Sequence, residues 1–511
     1  MDVQIHKVVE EGVNYLRARG DLREVEVFAA VNGILTCRIN YTSHLPCNGL
    51  EEPKSLHTQG VGVRAVFKTG DKLTIGFGQE TGSLSLEAIA SACAKAEEGA
   101  VYDPEFFGLP TPGTEKRTLW NYHDEKIMHL TDEALVGLGW KTIHAALEEY
   151  ECSSLVNEFT PAELGLILGG DLTIIQERIA IASTHFPTAQ EDASTTIFSF
   201  LTSMIEKTTS KGSGWSVGTH LDNFTGEAGR SAVKSALHSL DGQEIESGRY
   251  AVVLAPHAVA DLMNNLIIPS LSLDTFYAGN STFQGTLGRK VLSEELSISD
   301  HGSTKGLAAS RGITCEGLPT GKTQLITRGV VTGLLSSDYE RKRMLSHRSG
   351  KEKLGVDPYQ WQTAMVPRNG FRFGPGGGRN HGSLPSISPT NVVIEGENAV
   401  SLQELLKRVN EGIYIGRIWY TYPINGLQAG DFTSTIVGDS YVIRNGKLAE
   451  PLKPNTVRIN DNIHPLFNNL LGVENKQTGV VLWAADEVIY APHLACRQLT
   501  LDHIAHGMSH L

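Results

Sequence analysis

Apolar residues at Ile5, Val8, Val9, Val13 and Leu16 recur every three or four positions, which predicts an amphipathic first helix. Alternation then takes over. Val25–Val31 and Ile34–Tyr41 flank Asn32-Gly33, a pair that tolerates positive φ at both positions, and the pattern predicts a tight type I′ hairpin there. A second hairpin is predicted from Gly60–Lys68 and Leu73–Phe77 across Thr69-Gly70-Asp71-Lys72. Leu86–Glu97 is alanine-rich and helical in pattern, with Ser85 placed to cap it. Tyr102–Thr118 is rich in Pro and Gly and reads as a linker.

Further along, Thr131–Tyr150 has its apolar side at Leu135, Leu138, Ile143, Ala146 and Leu147, and predicts a helix. Leu172–Ile181 and Thr195–Ile205 alternate as long strands around a turn at Phe186-Pro187. Lys211–Gly218 reads as a Gly/Ser loop and Gly226–Leu240 as a helix. Next come the strand Tyr250–Leu254, a helix Pro256–Leu266 with proline at its first position, and a strand Lys290–Ile298. Gln324–Thr327 and Val330–Leu335 pair around Arg328-Gly329. Leu345–Ser388 is a Gly/Pro/Arg-rich excursion, expected to be either a mobile solvated loop or a flap that touches substrate or partner. Ser401–Val409 is a helix, and Asn445-Gly446 closes another hairpin.

The expected fold class is α+β: an N-terminal α/β unit with two hairpins and helices, followed by a large strand-rich C-terminal domain. The expected domains are 1–101, a helix-plus-long-strand unit at 117–240, and 244–511 carrying the excursion 345–388. A length of 511 residues suits two or three domains.

Composition narrows the function. A formal net charge of −13 argues against general nucleic-acid binding, which needs a concentrated basic surface. No apolar run approaches the ~20 residues needed to cross a bilayer. The amino terminus carries early glutamates and no continuous apolar region, so no secretory signal is expected. Six scattered cysteines suit free thiols in a reducing compartment, and a cytoplasmic location is expected.

Candidate chemistry is sparse. No histidine is followed directly by glutamate, and no Gly-x-Ser-x-Gly elbow occurs. His503, His506 and His510 would share one face of a terminal helix, with His493 and Cys496 upstream, and imidazoles with a thiolate can hold zinc. A frayed, exposed tail is the plainer expectation. Cys315, before Glu316-Gly317, reads as a small residue at a turn, and His257 and His301 lack partners in sequence. Gly374–Gly378 (GPGGG) lacks the Lys-Ser/Thr of a phosphate loop. Arg341-Lys342-Arg343 reads as a solvated face or a helix-end charge.

The words SGRYAVVLAPHAVADLMNNLIIPSL, TCEGLPT, TQLITRGVVTGLLSSDYERKRM and GDFTSTIVGDSYVIRNGKLAEPL, in this order, resemble the C-terminal domain of the TldD/PmbA (TldE) family of two-subunit peptidases. QGVGVRAVF and LSLEAIASACAKA resemble its N-terminal domain. In the TldD subunit the helix after the first of these strands carries His-Glu-x-x-x-His. Here that place reads Val259-Ala-Asp-Leu-Met-Asn-Asn-Leu-Ile-Ile-Pro269, with no histidine or glutamate. The TldD subunit also uses a cysteine near its C-terminus, but the YAPHLACRQL context of Cys496 differs.

The resemblance therefore implies the metal-free PmbA/TldE-type subunit, with no catalytic, cofactor-binding or metal-ligating residues of its own. The TldD-type partner is expected to supply zinc. The implied function is cleavage of unfolded peptides or trimming of leader peptides by the heterodimer. The alternative is a metal-free homodimer that binds peptides without cleaving them.

Overall fold

The computed structural model describes residues 4–45, 48–70, 72–154, 161–208, 210–374, 377–482 and 487–504. Its first half is one antiparallel sheet with helices on one face. After α1 (Ile5–Arg17) come β1 (Leu22–Thr42), β2 (Gly49–Leu50), β3 (Lys54–Thr69), β4 (Lys72–Thr81) and α2 (Leu86–Glu98). Beyond the linker lie α3 (Glu125–Met128), α4 (Asp132–Cys152), α5 (Pro161–Leu164), β5 (Leu166–Ser183), β6 (Phe186–Ile205), β7 (Ser210–Gly218) and α6 (Glu227–His238). The strand order is β4-β3-β1-β5-β6-β7, with β2 on β1. Segments 1–101 and 117–240 thus share one sheet, because β1 pairs with β5 from Glu26↔Ser183 to Thr42↔Ile167.

Two turn expectations are corrected. Asn32-Gly33 is not a hairpin: β1 runs straight through it, and neither residue has positive φ. Both sides of the strand are bonded there, Asn32 opposite Thr58 and Glu177, Gly33 opposite His57 and Gln176. Pairing on both edges satisfies every backbone group, which outweighs the local turn preference. Lys211–Gly218 is likewise strand β7, not a loop. Its glycines let α6 lie close: a Cβ on Gly212 would come 2.2 Å from Ala236 N, and one on Gly214 2.0 Å from Ala228 O.

The period-2 rule sorts β1 by face. Val25, Val27, Ala29, Leu35, Cys37 and Ile39 face the clusters built with α1, α2, α3, α4 and α6. Phe28 and Ala30 face the other way, onto Ile313, Cys315 and Phe371 of the C-terminal half.

That half begins with β8 (Gly248–Leu254) and α7 (Pro256–Leu262), which continues through a π turn (Met263–Ile267) into α8 (Ile268–Ser270). The wider turn ends just before Pro269, which has no N–H to bond back. Then follow α9 (Leu273–Ala278), β9 (Leu296–His301), β10 (Lys322–Thr327), β11 (Val330–Val331), α10 (Asp338–Ser346) and α11 (Gly350–Leu354). The strand expected at Lys290–Ile298 forms only from Leu296, and Lys290 contributes a single bridge to Val330.

The chain continues with β12 (Gly370–Phe371), β13 (Ser386–Ile387), β14 (Asn391–Gly396), α12 (Leu402–Val409), β15 (Gly412–Ile415), β16 (Arg417–Pro423) and β17 (Asp431–Gly438). It closes with β18 (Tyr441–Arg444), β19 (Lys447–Pro451), β20 (Val457–Asn462), α13 (Ile463–Asn468), β21 (Leu470–Val473), β22 (Thr478–Val480), β23 (Val488–Ala491) and β24 (Leu494–His503). One sheet runs β11-β10-β9-β14-β23-β22 and another β16-β17-β20-β24-β8-β15-β18-β19, with β21 on β24. The largest apolar core draws on both sheets and on α7 and its continuation.

Candidate functional site

Helix α7 occupies the place where the resemblance puts metal ligands in the TldD subunit, and all seven of its residues are buried. His257 stacks at a tilt on Trp215, ring centroids 5.0 Å apart. Burial, with Arg417 nearby, pushes its imidazole down to about 3, so it is neutral at physiological pH. Asp261, one turn on, is held by Asn265 Nδ2 at 3.3 Å, and burial raises its carboxyl to about 6. These two side chains, enclosed on all sides, do not fit a hydrolytic metal, which needs several ligands and an open position for water. Among the described residues no group of three or more His, Cys, Asp or Glu is disposed to hold a metal ion.

The other sequence candidates are scattered. His503 does not lie on a helix but ends β24, its Nε2 2.9 Å from Glu244 Oε2, while His506 and His510 lie outside the described residues. His493 uses both ring nitrogens, on Glu474 Oε2 at 2.6 Å and Tyr414 OH at 3.0 Å. Cys496 is buried in β24, its thiol pushed up to about 12 by burial. Cys315 is buried too, its thiol up to about 11 for the same reason, which suits a core residue better than a nucleophile. His301 is half-buried on Ser299 Oγ (2.8 Å) and Thr304 Oγ1 (3.3 Å). Gly374 and Gly378 close a turn, N to O 3.1 Å, and residues 375–376 lie outside the described set.

Of the two expectations for the basic run the helix-end charge holds, since Arg343 lies in the last turn of α10, and its residues are partly buried, not a solvated face. Arg341 Nη2 donates to Gln362 Oε1 at 3.0 Å. Lys342 pairs with Asp338 at 2.7 Å and donates to the carbonyls of Gly108 and Leu109. Arg343 pairs with Glu340 at 2.6 Å and lies over the Tyr277 ring.

The excursion 345–388 is the larger correction. It is not a solvated loop, because it plugs the first sheet with two arginines that are fully buried, Arg372 and Arg379. Glu26 receives Arg372 and, at 2.7 Å, Arg64. Glu177 accepts from the Arg379 backbone N–H at 2.6 Å and faces the guanidinium groups of Arg379 (3.4 Å) and Arg311 (3.6 Å). Asp192 binds Arg379 at 2.8 Å, Arg117 at 2.7 Å and the Tyr122 hydroxyl at 2.9 Å. Asn32 donates to the Arg379 carbonyl at 2.5 Å, which is where that side chain is used. The sequence signal was a glutamate inside each of two apolar strands, Glu26 and Glu177, with arginines in a long Gly-rich segment.

Where the excursion turns back, residues 384–387 meet β4, the linker near Asp103 and the start of α10. They enclose a cavity of about 560 Å³ lined by Phe77, Phe106, Tyr339, Asp103, Asp274 and Glu340, among others.

Residues 247–503 match the model of the PmbA/TldA metallopeptidase C-terminal domain, and the chain belongs to that family. It is 29% identical over 222 residues to an uncharacterised protein of Methanocaldococcus jannaschii, covering 43% of this chain and 45% of that one. It is 28% identical over 229 residues to a metalloprotease TldD homolog of Buchnera aphidicola, covering 45% of this chain and 41% of that one. The chain thus spans less than half the length of these relatives. The fold is similar to that of TldE from Thermococcus kodakarensis, with a TM-score of 0.74 at 17% identity, covering 98% of this chain and all of that one.

Proposed function

We propose that this chain is the metal-free subunit of a two-chain peptidase, with a TldD-type partner supplying zinc, acid/base chemistry and water. The observation that carries this reading is α7. In a family whose relatives include a metalloprotease TldD homolog, all seven residues of α7 are buried and Val259–Pro269 holds no histidine or glutamate. In this role the chain supplies walls and an interface, and unfolded or leader peptides are the substrates of the pair. The family membership and the TldE-like fold support the assignment. No hydrolytic step is assigned to its own residues.

Metal analysis of the purified chain without an affinity tag tests it. Well under one zinc per chain is expected. One tightly held zinc per chain, lost in a His503→Ala/His506→Ala variant, would overturn the reading in favour of the histidine tail.

A further inference from the structure

Along the outer edge of β4, Val101 bonds Ile75 and Lys95 Nζ donates to the Gln79 carbonyl at 3.3 Å. Among the described residues only Phe77, between them, keeps its outward backbone groups without a backbone partner, and the cavity beside it has a lining one-sided in charge. Along β4 the even-numbered residues bond toward β3, as Gly82 N–H does to Gln59 O at 2.8 Å. The odd-numbered ones therefore point outward. Ile75 uses its outward N–H and C=O on Val101, at 2.9 and 3.0 Å. Val101 makes the only bridge to this edge among the described residues, so a one-residue piece of linker already sits where an added strand would run. Two residues on, the same alternation turns the N–H and C=O of Phe77 outward, and Phe77 lines the cavity.

Carboxylates dominate the polar lining. Asp103 accepts from Tyr339 OH at 3.0 Å and from Glu105 N at 2.8 Å, and Asp274 accepts from Thr275 N at 2.8 Å and from the Ser272 hydroxyl. Among the described residues, neither forms an ion pair with a basic side chain. Glu340 has Arg343, yet burial raises its carboxyl, and the nearby charges of Asp274 and Glu105 push the same way. Arg64 is the one basic residue in the lining. Its charge is committed to Glu26, and its Nε, on a side chain more than nine-tenths buried, has no partner.

We propose that this cleft binds an extended peptide that adds to β4 at Phe77 and sets a lysine or arginine side chain against Asp103 and Asp274. Backbone pairing gives affinity without sequence preference, and the carboxylates select the cation. The inference rests on the peptidase-subunit reading and names a substrate class for it.

The test is fluorescence anisotropy on the full chain with two labelled, unstructured peptides that differ only in a central Lys or Glu. The lysine peptide should bind about tenfold or more tightly. N-methylation of alternate peptide residues should abolish binding in one frame and spare it in the other. Asp103→Asn and Asp274→Asn, with thermal midpoints unchanged, should each shrink the Lys/Glu ratio. Equal binding of both peptides, no binding of either, or indifference to N-methylation in both frames would overturn the proposal. If the chain paired with a TldD-type partner cleaves peptides while the two probes bind equally, the cleft assignment falls and the subunit reading stands.

Discussion

Arg379 serves two carboxylates at once, Glu177 and Asp192, from a position with no exposure. Truncating it would leave both charges buried and half-paired. Removing one member of such a pair costs about 3–5 kcal/mol. Arg379→Ala should therefore lower the unfolding free energy measured by urea denaturation by that order, and Arg379→Lys should restore only part, because a point charge cannot fork between two carboxylates. A loss under about 1 kcal/mol, the range of exposed pairs, would contradict the network. Glu340 gives a prediction in pH. Burial lifts its carboxyl from 4.5 to about 7, against the pull of Arg343 and with Asp274 pushing the same way. A raised folded-state value means the protonated form is favoured on folding. Its contribution is complete below the unfolded value and lost as pH rises through about 7. The thermal midpoint of the wild type should fall between about pH 5 and about pH 8 more steeply than that of Glu340→Gln. Parallel profiles would refute the assignment.

Elements defined by neighbours in sequence were readable, and those defined by distant neighbours were not. Ser85 caps its helix through its own side chain as expected, and Thr131 and Ser401, expected as first helical residues, prove to be caps as well. Arg328-Gly329 and Asn445-Gly446 make the predicted turns with positive φ at both positions. Asn32-Gly33 carries the same local preference, but its fate was set by partners on β3 and β5, the latter more than 140 positions away, and nothing in the dipeptide encodes them. The glycines of β7 misled for a related reason: they mark the close approach of α6, not flexibility. Gly214→Ala should cost about 1–3 kcal/mol, since the added Cβ would strike the helix backbone. Gly218→Ala on the same strand meets nothing within 4 Å and serves as the control. Equal stability of the two variants would show that α6 does not pack as described. For the candidate site, the lack of a histidine or glutamate at Val259–Pro269 is a fact of the sequence, and the structure adds the burial of α7. The arginine network was not legible in the sequence, because it joins Glu26 and Glu177 to residues some two to three hundred and fifty positions later.

At the scale of the whole molecule, one sheet carries helices on one face and the C-terminal half on the other, and the excursion joins them. Arg368 extends the joint to the linker through Glu115 Oε2 at 3.0 Å. Arg368, Arg372 and Arg379 thus tie the two halves together, and removing them would leave Glu26, Glu177 and Asp192 with one arginine each, Arg64, Arg311 and Arg117. A fixed joint of this kind suits a subunit whose task is to hold walls around a partner's site. The most direct measurement is the rate of unfolded-peptide hydrolysis by this chain alone, by a TldD-type partner alone, and by the two together, at equal partner concentration. No cleavage by this chain and a rate for the pair well above that of the partner alone are expected. Cleavage by this chain alone, or a partner that reaches the full rate without it, would contradict the account.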